Sequence, residues 1–256
     1  MGKIVAVIPA RMGSSRFPGK PLADIHGVPM VGHVFFRTRM CDLLDETVVA
    51  TCDREIADYV ESVGGRAVMT LDTHERCTDR TAECMLKVEE AVGEDVDIVV
   101  MVQGDEPMVT PEMISASLEP MLADPALGVV NLMADLGSVE EFEDPNEVKV
   151  VTDLSGNALY FSREPVPSRK KGVLDVPMKK QVCIIPFRRQ ALLDFNALQE
   201  TPLERIESVD MMRLLEHGRR VRMVQTDART KSVDTQADLE LVRKLMADDG
   251  LRGSYS

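Results

Sequence analysis

Residues 3–8, KIVAVI, form a nearly unbroken apolar run rich in β-branched side chains. That pattern predicts a strand covered on both faces, as in a parallel sheet. Residues 9–27 interrupt it with Gly, Pro, Ser and basic side chains and predict a long loop of functional type. Residues 29–40, PMVGHVFFRTRM, combine an early proline with an apolar stripe and predict a helix. A strand at 46–51, a helix at 53–63, a strand at 66–69, a helix near 79–92 and a strand at 96–102 follow, then a helix opened by Thr110-Pro111-Glu112. Strands alternating with helices in this rhythm predict a mostly parallel sheet wound with helices.

The rhythm changes after about residue 127. Residues 128–134, 147–152, 157–161 and 181–187 read as strands with few helices between them. Residues 164–180 hold three prolines and the cluster Arg169-Lys170-Lys171. The stretch of about 128–188 therefore reads as a β-rich arm or subdomain within one α/β domain spanning 1–250, suited to substrate contacts or dimerisation. Helices near 189–195 and 204–216, a strand at 220–226 and a helix at 235–247 complete the pattern. Thr235 and Asp238 have the spacing of a capping box, with Asp in place of the usual Glu or Gln. The tail, residues 251–256, is expected to be disordered.

Composition adds limits. At 256 residues and 44% hydrophobic, the chain can bury a sizeable core. It has no apolar run of the roughly 20 residues a membrane helix needs, and its N-terminal apolar stretch reads as a first strand, not a signal peptide. A cytoplasmic protein with no membrane partner is expected. The five cysteines are odd in number and lack a C-x-x-C spacing, so neither a disulfide framework nor a zinc site is predicted. His26, His33, His74 and His217 lack metal-ligand spacing, and the sixteen methionines read as core filler. A net charge of −13 argues against nucleic acid as a partner. Yet residues 1–23 carry Lys3, Arg11, Arg16 and Lys20 and no acid, a local cationic segment able to focus a small anion such as a nucleoside triphosphate.

That segment lies just beyond the first strand, where open α/β sheets bind ligands. In PARMGSSRFPGKPL, Gly13 and Gly19 allow main-chain N–H groups to approach a phosphate, and Arg11, Arg16 and Lys20 can cover its charge. A solvated basic loop is the other reading. The P-loop pattern fails, because five residues separate Gly13 from Gly19 and Pro21 follows Lys20; G-x-G-x-x-G is absent, which removes the main support for a dehydrogenase. The strand at 96–102 runs into Gln103-Gly104-Asp105-Glu106-Pro107. Asp105 is then either a Mg²⁺ ligand in the crevice or an exposed turn acid. Asp234 is either a second ligand or a helix cap.

Taken together, PARMGSSRFPGKPL, VQGDEPMV, FEDPNEVKVVTD, GNALYFSREPVP, TPLERIE and SVDTQADLE resemble the 3-deoxy-manno-octulosonate cytidylyltransferases, over nearly the whole chain from Ile4 to about Met246. The resemblance implies a Rossmann-like, glycosyltransferase-A-like mixed α/β sheet with a β-rich dimerisation arm, and a homodimer. It implies attack of an acceptor hydroxyl on the α-phosphate of CTP, with Mg²⁺ as cofactor and pyrophosphate as leaving group. It also implies roles: Ala10, Arg11, Gly13, Ser14, Arg16, Lys20, Thr78, Arg80 and Gln103 around the nucleotide; Lys20, Asp105 and Asp234 in catalysis, the two aspartates holding the metal; Arg80, Gln103, Arg163, Gln181, Ile185 and Asp210 around the acceptor.

The chain departs from that family where it reads its acceptor. A segment resembling His-x-Gly-Ile-Tyr-Gly-Tyr-Arg is here Gln181-Val-Cys-Ile-Ile-Pro-Phe-Arg188; an acid-Gln pair is Asp210-Met211; a Ser-Gly pair is Arg76-Cys77. Lost polar partners change what a polyhydroxylated site accepts. The alternatives are then a modified octulosonate, another ulosonic acid or a phosphonate acceptor; a non-catalytic nucleotide-binding protein is the alternative class. Arg76 is either an added charge for the acceptor or a surface residue.

Overall fold

The computed structural model describes residues 2–13 and 16–255; Ser14, expected at the nucleotide, lies outside them. In chain order the strands are β1 (Lys3–Pro9), β2 (Asp24–Ile25), β3 (Val28–Pro29), β4 (Glu46–Thr51), β5 (Arg66–Met69), β6 (Val96–Val102), β7 (Val130–Asp135), β8 (Lys149–Thr152), β9 (Ala158–Ser162), β10 (Lys179–Val182), β11 (Ile184–Arg188) and β12 (Arg222–Thr226). The helices are α1 (Met30–Thr38), α2 (Arg54–Ser62), α3 (Cys77–Val92), α4 (Pro111–Ala123), α5 (Val139–Glu143), α6 (Arg189–Ala197), α7 (Pro202–Glu207), α8 (Met211–Glu216) and α9 (Gln236–Leu245).

Two five-stranded sheets carry the fold, in the orders β11-β6-β1-β4-β5 and β12-β7-β10-β8-β9. In the first, β6, β1, β4 and β5 run parallel and β11 pairs antiparallel to β6. Its central strands are covered on both faces. Val5 and Val7 of β1 join one apolar core, while Ile4, Ala6 and Ile8 join the other, as a period of two requires. Pro186 falls on β11, an edge strand, where a missing N–H costs the sheet least.

The sequence pattern and the structure differ at three places. Residues 181–187 are not one strand: β10 pairs with β7 and β8 in the second sheet, and β11 pairs with β6 in the first, with the break at Cys183. The β-rich unit therefore excludes β11 and recruits β12, parallel to β7. Residues 204–216 are not one helix: α7 ends at Ser208, which is left-handed at φ 52, and α8 starts afresh. Arg163 satisfies the carbonyls this break exposes, with Nε donating to Glu207 O at 2.6 Å and Nη2 to Ser208 O at 3.4 Å. The tail is ordered to Tyr255: a 3₁₀ turn covers Arg252–Ser254, and the Tyr255 hydroxyl meets His33 Nδ1 at 2.7 Å and Arg37 Nε at 2.8 Å. Its aromatic ring stacks on Phe36 with centroids 5.2 Å apart, which gives the tail an anchor that its polar composition hides. No helix among the described residues is long and apolar enough to cross a membrane.

Candidate active site

The carboxyl ends of β1 and β6 face one crevice, and the loops that follow them carry the charged groups. After β1, Gly19 takes φ 74 and turns the chain into a 3₁₀ turn, Lys20–Leu22. This aims Lys20 inward. Its ammonium donates to Asp105 Oδ2 at 2.8 Å and to the Val233 carbonyl at 2.7 Å, and Asp234 Oδ1 lies 3.5 Å away. Burial by itself would lower the lysine's pKa; the two aspartates outweigh it, and the ammonium is held above its ordinary value. Arg16 bridges Asp234 Oδ1 and Asn146 Oδ1, both at 2.9 Å.

Asp105 and Asp234 are far apart in sequence and are joined by one main-chain bond, Val233 N to Asp105 O at 2.9 Å. Neither of the plainer readings survives. Asp105 is not an exposed turn acid: its Oδ1 is buried and has no hydrogen-bond partner among the described residues. Asp234 is not the cap of α9, since Thr235 fills that role and accepts from Asp238 N. Asp238 instead accepts the N–H groups of Asp234 at 3.2 Å and Thr235 at 2.9 Å, so the cap fixes the main chain on which Asp234 is mounted. Gly104 gives the crevice its depth. A Cβ there would lie 2.9 Å from the Pro9 carbonyl.

Two cavities meet at these carboxylates. One, of about 390 Å³, is lined by Ala10, Arg11, Gly13, Arg16, Lys20 and Gly104. The other, of about 330 Å³, is lined by Arg76, Arg163, Gln181, Ile185 and Asp210 among others. Gln103, Asp105 and Asp234 border both. Of the expected residues, Ala10, Arg11, Gly13 and Lys20 line only the first of these two cavities, Arg163, Gln181, Ile185 and Asp210 only the second, and Arg16 borders both.

Two expected residues fall elsewhere. Because α3 begins at Cys77, Thr78 and Arg80 sit in its first turn, buried. Thr78 Oγ1 donates to Asp210 Oδ2 at 2.9 Å and lines neither large cavity. Arg80 bonds Thr70 and the His74 carbonyl and borders a small cleft beside Ala10 and Arg11 that shares Glu75, Arg76 and Cys77 with the acceptor-side cavity. Gln181 Nε2 is tied to Asn131 Oδ1 at 2.6 Å. Arg163 also binds the Pro145 carbonyl at 2.8 Å.

Other residues of the second cavity were not singled out from sequence. Glu106 and Glu147 line it and are almost wholly buried. Burial, then the neighbouring Asp105 charge, pushes the Glu106 carboxyl up to about 7. Glu147 accepts from Lys180 at 3.1 Å and from Lys231 at 2.5 Å. The buried Lys149 holds the carbonyls of Asp144, Glu147 and Arg163 together, which shapes this wall from behind. The only sequence signal was position: Glu106 follows Asp105, and Asn146-Glu147 follows an Asp-Pro turn.

Comparison with known proteins agrees with the geometry. A family profile described as Cytidylyltransferase matches residues 5–222. A 3-deoxy-manno-octulosonate cytidylyltransferase from Geobacter metallireducens is 43% identical over 250 residues, covering 94% of this chain and 96% of that protein. One from Trichlorobacter lovleyi is 42% identical over 254 residues, covering 95% and 98%. The solved structure of CMP:2-keto-3-deoxy-manno-octonic acid synthetase complexed with CTP superposes with a TM-score of 0.88 at 42% identity, covering 96% of this chain and 99% of that one. A cytidylyltransferase from Leptospira borgpetersenii, 16% identical with a TM-score of 0.62 over 96% of this chain and 87% of that one, shares the fold. With two cavities meeting at Asp105 and Asp234 and relatives of this identity over nearly its full length, the chain belongs to the cytidylyltransferase family, in the group of the 3-deoxy-manno-octulosonate cytidylyltransferases.

Proposed function

We propose that this protein transfers CMP from CTP to 3-deoxy-manno-octulosonate or a closely similar acid sugar, releasing pyrophosphate. The observation that carries the reading is the pair of cavities sharing Gln103, Asp105 and Asp234 as their common edge. The acceptor hydroxyl attacks the α-phosphate across that edge; the new P–O bond forms as the bond to pyrophosphate breaks. Such transfers depend on positioning and charge neutralisation, not on a covalent nucleophile.

In the free protein Arg16 and Lys20 neutralise Asp234 and Asp105. An incoming triphosphate offers both cations a stronger partner, and they turn to the phosphates and favour the departure of pyrophosphate. That exchange releases the two carboxylates. Mg²⁺ fits what is left: it favours one or two carboxylates plus phosphate oxygens and water, and the buried Oδ1 of Asp105, without a hydrogen-bond partner among the described residues, suits a cation. When bound, Mg²⁺ supplies charge neutralisation at the α-phosphate and lowers the pKa of the acceptor hydroxyl. Gln103, on both cavities, orients the acceptor against the nucleotide.

Pyrophosphate release tests this with CTP, Mg²⁺ and a panel of 3-deoxy-manno-octulosonate, its amino-sugar analogue, other ulosonic acids and small phosphonates. Release with the octulosonate is expected, and a loss of about 10²-fold or more in Asp105→Asn. Tight CTP binding with no release against any acceptor would favour the non-catalytic alternative.

The β-rich part also serves, in this reading, as the surface of a homodimer. Support comes from Leu154 and Leu159, exposed on the β8–β9 hairpin at the edge of the second sheet. Sedimentation equilibrium showing a monomer at micromolar concentration would refute it.

A further inference from the structure

Three arginines wall the acceptor-side cavity, and they stand differently. Arg163 is tied to main chain, giving three of its N–H groups to the carbonyls of Pro145, Glu207 and Ser208. Arg16 borders both cavities and is bonded to Asp234, on their common edge, and to Asn146, on the acceptor side. Arg76 enters from the loop just ahead of α3. Its Nη1 donates to Asp210 Oδ1 at 3.1 Å, its Nη2 to Glu200 Oε1 at 2.8 Å, and Glu204 Oε1 lies 3.8 Å away. A guanidinium has five N–H donors in a planar fork; two are spent here. The other oxygen of Asp210 is taken by Thr78 at 2.9 Å. Each oxygen of this acid therefore accepts a bond from a residue at or just ahead of the start of α3, and both Arg76 and Asp210 line the cavity.

The charge pattern needs a cation there. Glu75, Glu106, Glu147 and Asp210 line the same cavity, and an anionic acceptor entering it meets acids on several sides. Glu147 is offset by Lys180 and Lys231; the wall formed by α7 and α8 is offset by Arg76.

We propose that Arg76 is a specificity-determining residue that donates to the oxygens of an anionic, hydroxyl-rich acceptor, and that Asp210, helped by Thr78, is a positioning residue that fixes its guanidinium at the cavity wall. The proposal rests on the reaction described above. It gives Asp210, which accepts one bond at each oxygen from Arg76 and Thr78, the added task of holding the residue that meets the acceptor. A guanidinium already fixed by carboxylates loses little further freedom on binding.

The test is steady-state pyrophosphate release with CTP and 3-deoxy-manno-octulosonate varied independently in Mg²⁺ buffer, for the wild type, Arg76→Ala, Arg76→Lys and Asp210→Asn. Arg76→Ala is expected to raise the acceptor KM about tenfold or more, the loss of a charge-assisted hydrogen bond, with the CTP KM within about twofold of wild type. Arg76→Lys should recover part of the loss, and Asp210→Asn should move the acceptor KM the same way by a smaller factor. If Arg76→Ala does not fold, the lysine and asparagine variants carry the comparison. An active wild type whose acceptor KM is unchanged in the Arg76 variants, or variants in which both KM values rise together, would overturn the role of Arg76 alone. A wild type inert towards CTP and the octulosonate would overturn the reaction, and this assignment with it.

Discussion

Glu83 shows how one carboxylate braces the loop that leads into the site. Its Oε2 accepts from Leu71 N at 2.9 Å and meets His74 Nε2 at 2.5 Å, while Lys87 lies 2.8 Å from Oε1. Burial alone would raise its pKa; the bonds from Lys87, Leu71 and His74 prevail and pull it down to about 2, from an ordinary 4.5. A carboxyl lowered on folding contributes stability that is fully present above its unfolded pKa and is lost as pH falls through the folded one. The gap in Tm between the wild type and Glu83→Gln should therefore be full at pH 7 and shrink as pH falls from about 4.5 towards about 2. A gap that stays constant with pH would contradict this. At this scale the sequence was informative where one residue type admits few roles, as for Lys20, Asp105 and Asp234 beyond their strands. It was silent on Glu106, Glu147 and Lys149, because burial and pairing among distant charges leave no local pattern. It did not show that Arg80 braces the His74 loop from within α3 and reaches the site through a small cleft beside Arg11 and Arg76.

Elements were legible where their period is local. β1 and β6 are apolar but for Lys3 and Asp97 near their starts because both faces are covered, and α4 starts at Thr110-Pro111, where the Thr110 hydroxyl accepts from Met113 N. The largely apolar run 181–187 hid a break because no turn residue marks it at Cys183; only the change of partner there, from β7 and β8 to β6, divides it. The break between α7 and α8 was hidden likewise, since it depends on Arg163 arriving from β9 to cover the freed carbonyls. Gly104 tests how tightly the strand ends are joined. An added Cβ would stand 2.9 Å from the Pro9 carbonyl, a main-chain atom with little room to yield. Gly104→Ala should cost about 1–3 kcal/mol in urea unfolding and impair catalysis as well. Unchanged stability and turnover would show that β1 and the loop after β6 can separate freely.

The molecule as a whole joins two sheets across a seam, and the site lies on it. Cys183 O accepts from Gln103 N at 3.1 Å where the chain crosses from one sheet to the other, and Val129 bridges to Phe187 alongside. The wound α/β half was readable from strand and helix alternation; the second sheet was readable as β-rich but not in its membership, since β12 joins it from beyond three helices. The tail likewise closes over the molecule far from its neighbours in sequence. Deleting residues 251–256 should cost about 1–3 kcal/mol, a Tm lower by several degrees, because His33 and Arg37 lose their bonds to Tyr255 while buried; an unchanged Tm would mean the anchor contributes nothing. The central claim, that the shared edge of two cavities joins CTP to an acid sugar, is tested most directly by phosphorus NMR of the purified protein with CTP, Mg²⁺ and 3-deoxy-manno-octulosonate. Loss of the triphosphate signals with matched growth of pyrophosphate and one phosphodiester, dependent on the acceptor, is the predicted result. CTP that remains intact although bound, or that breaks down equally without acceptor, would contradict it.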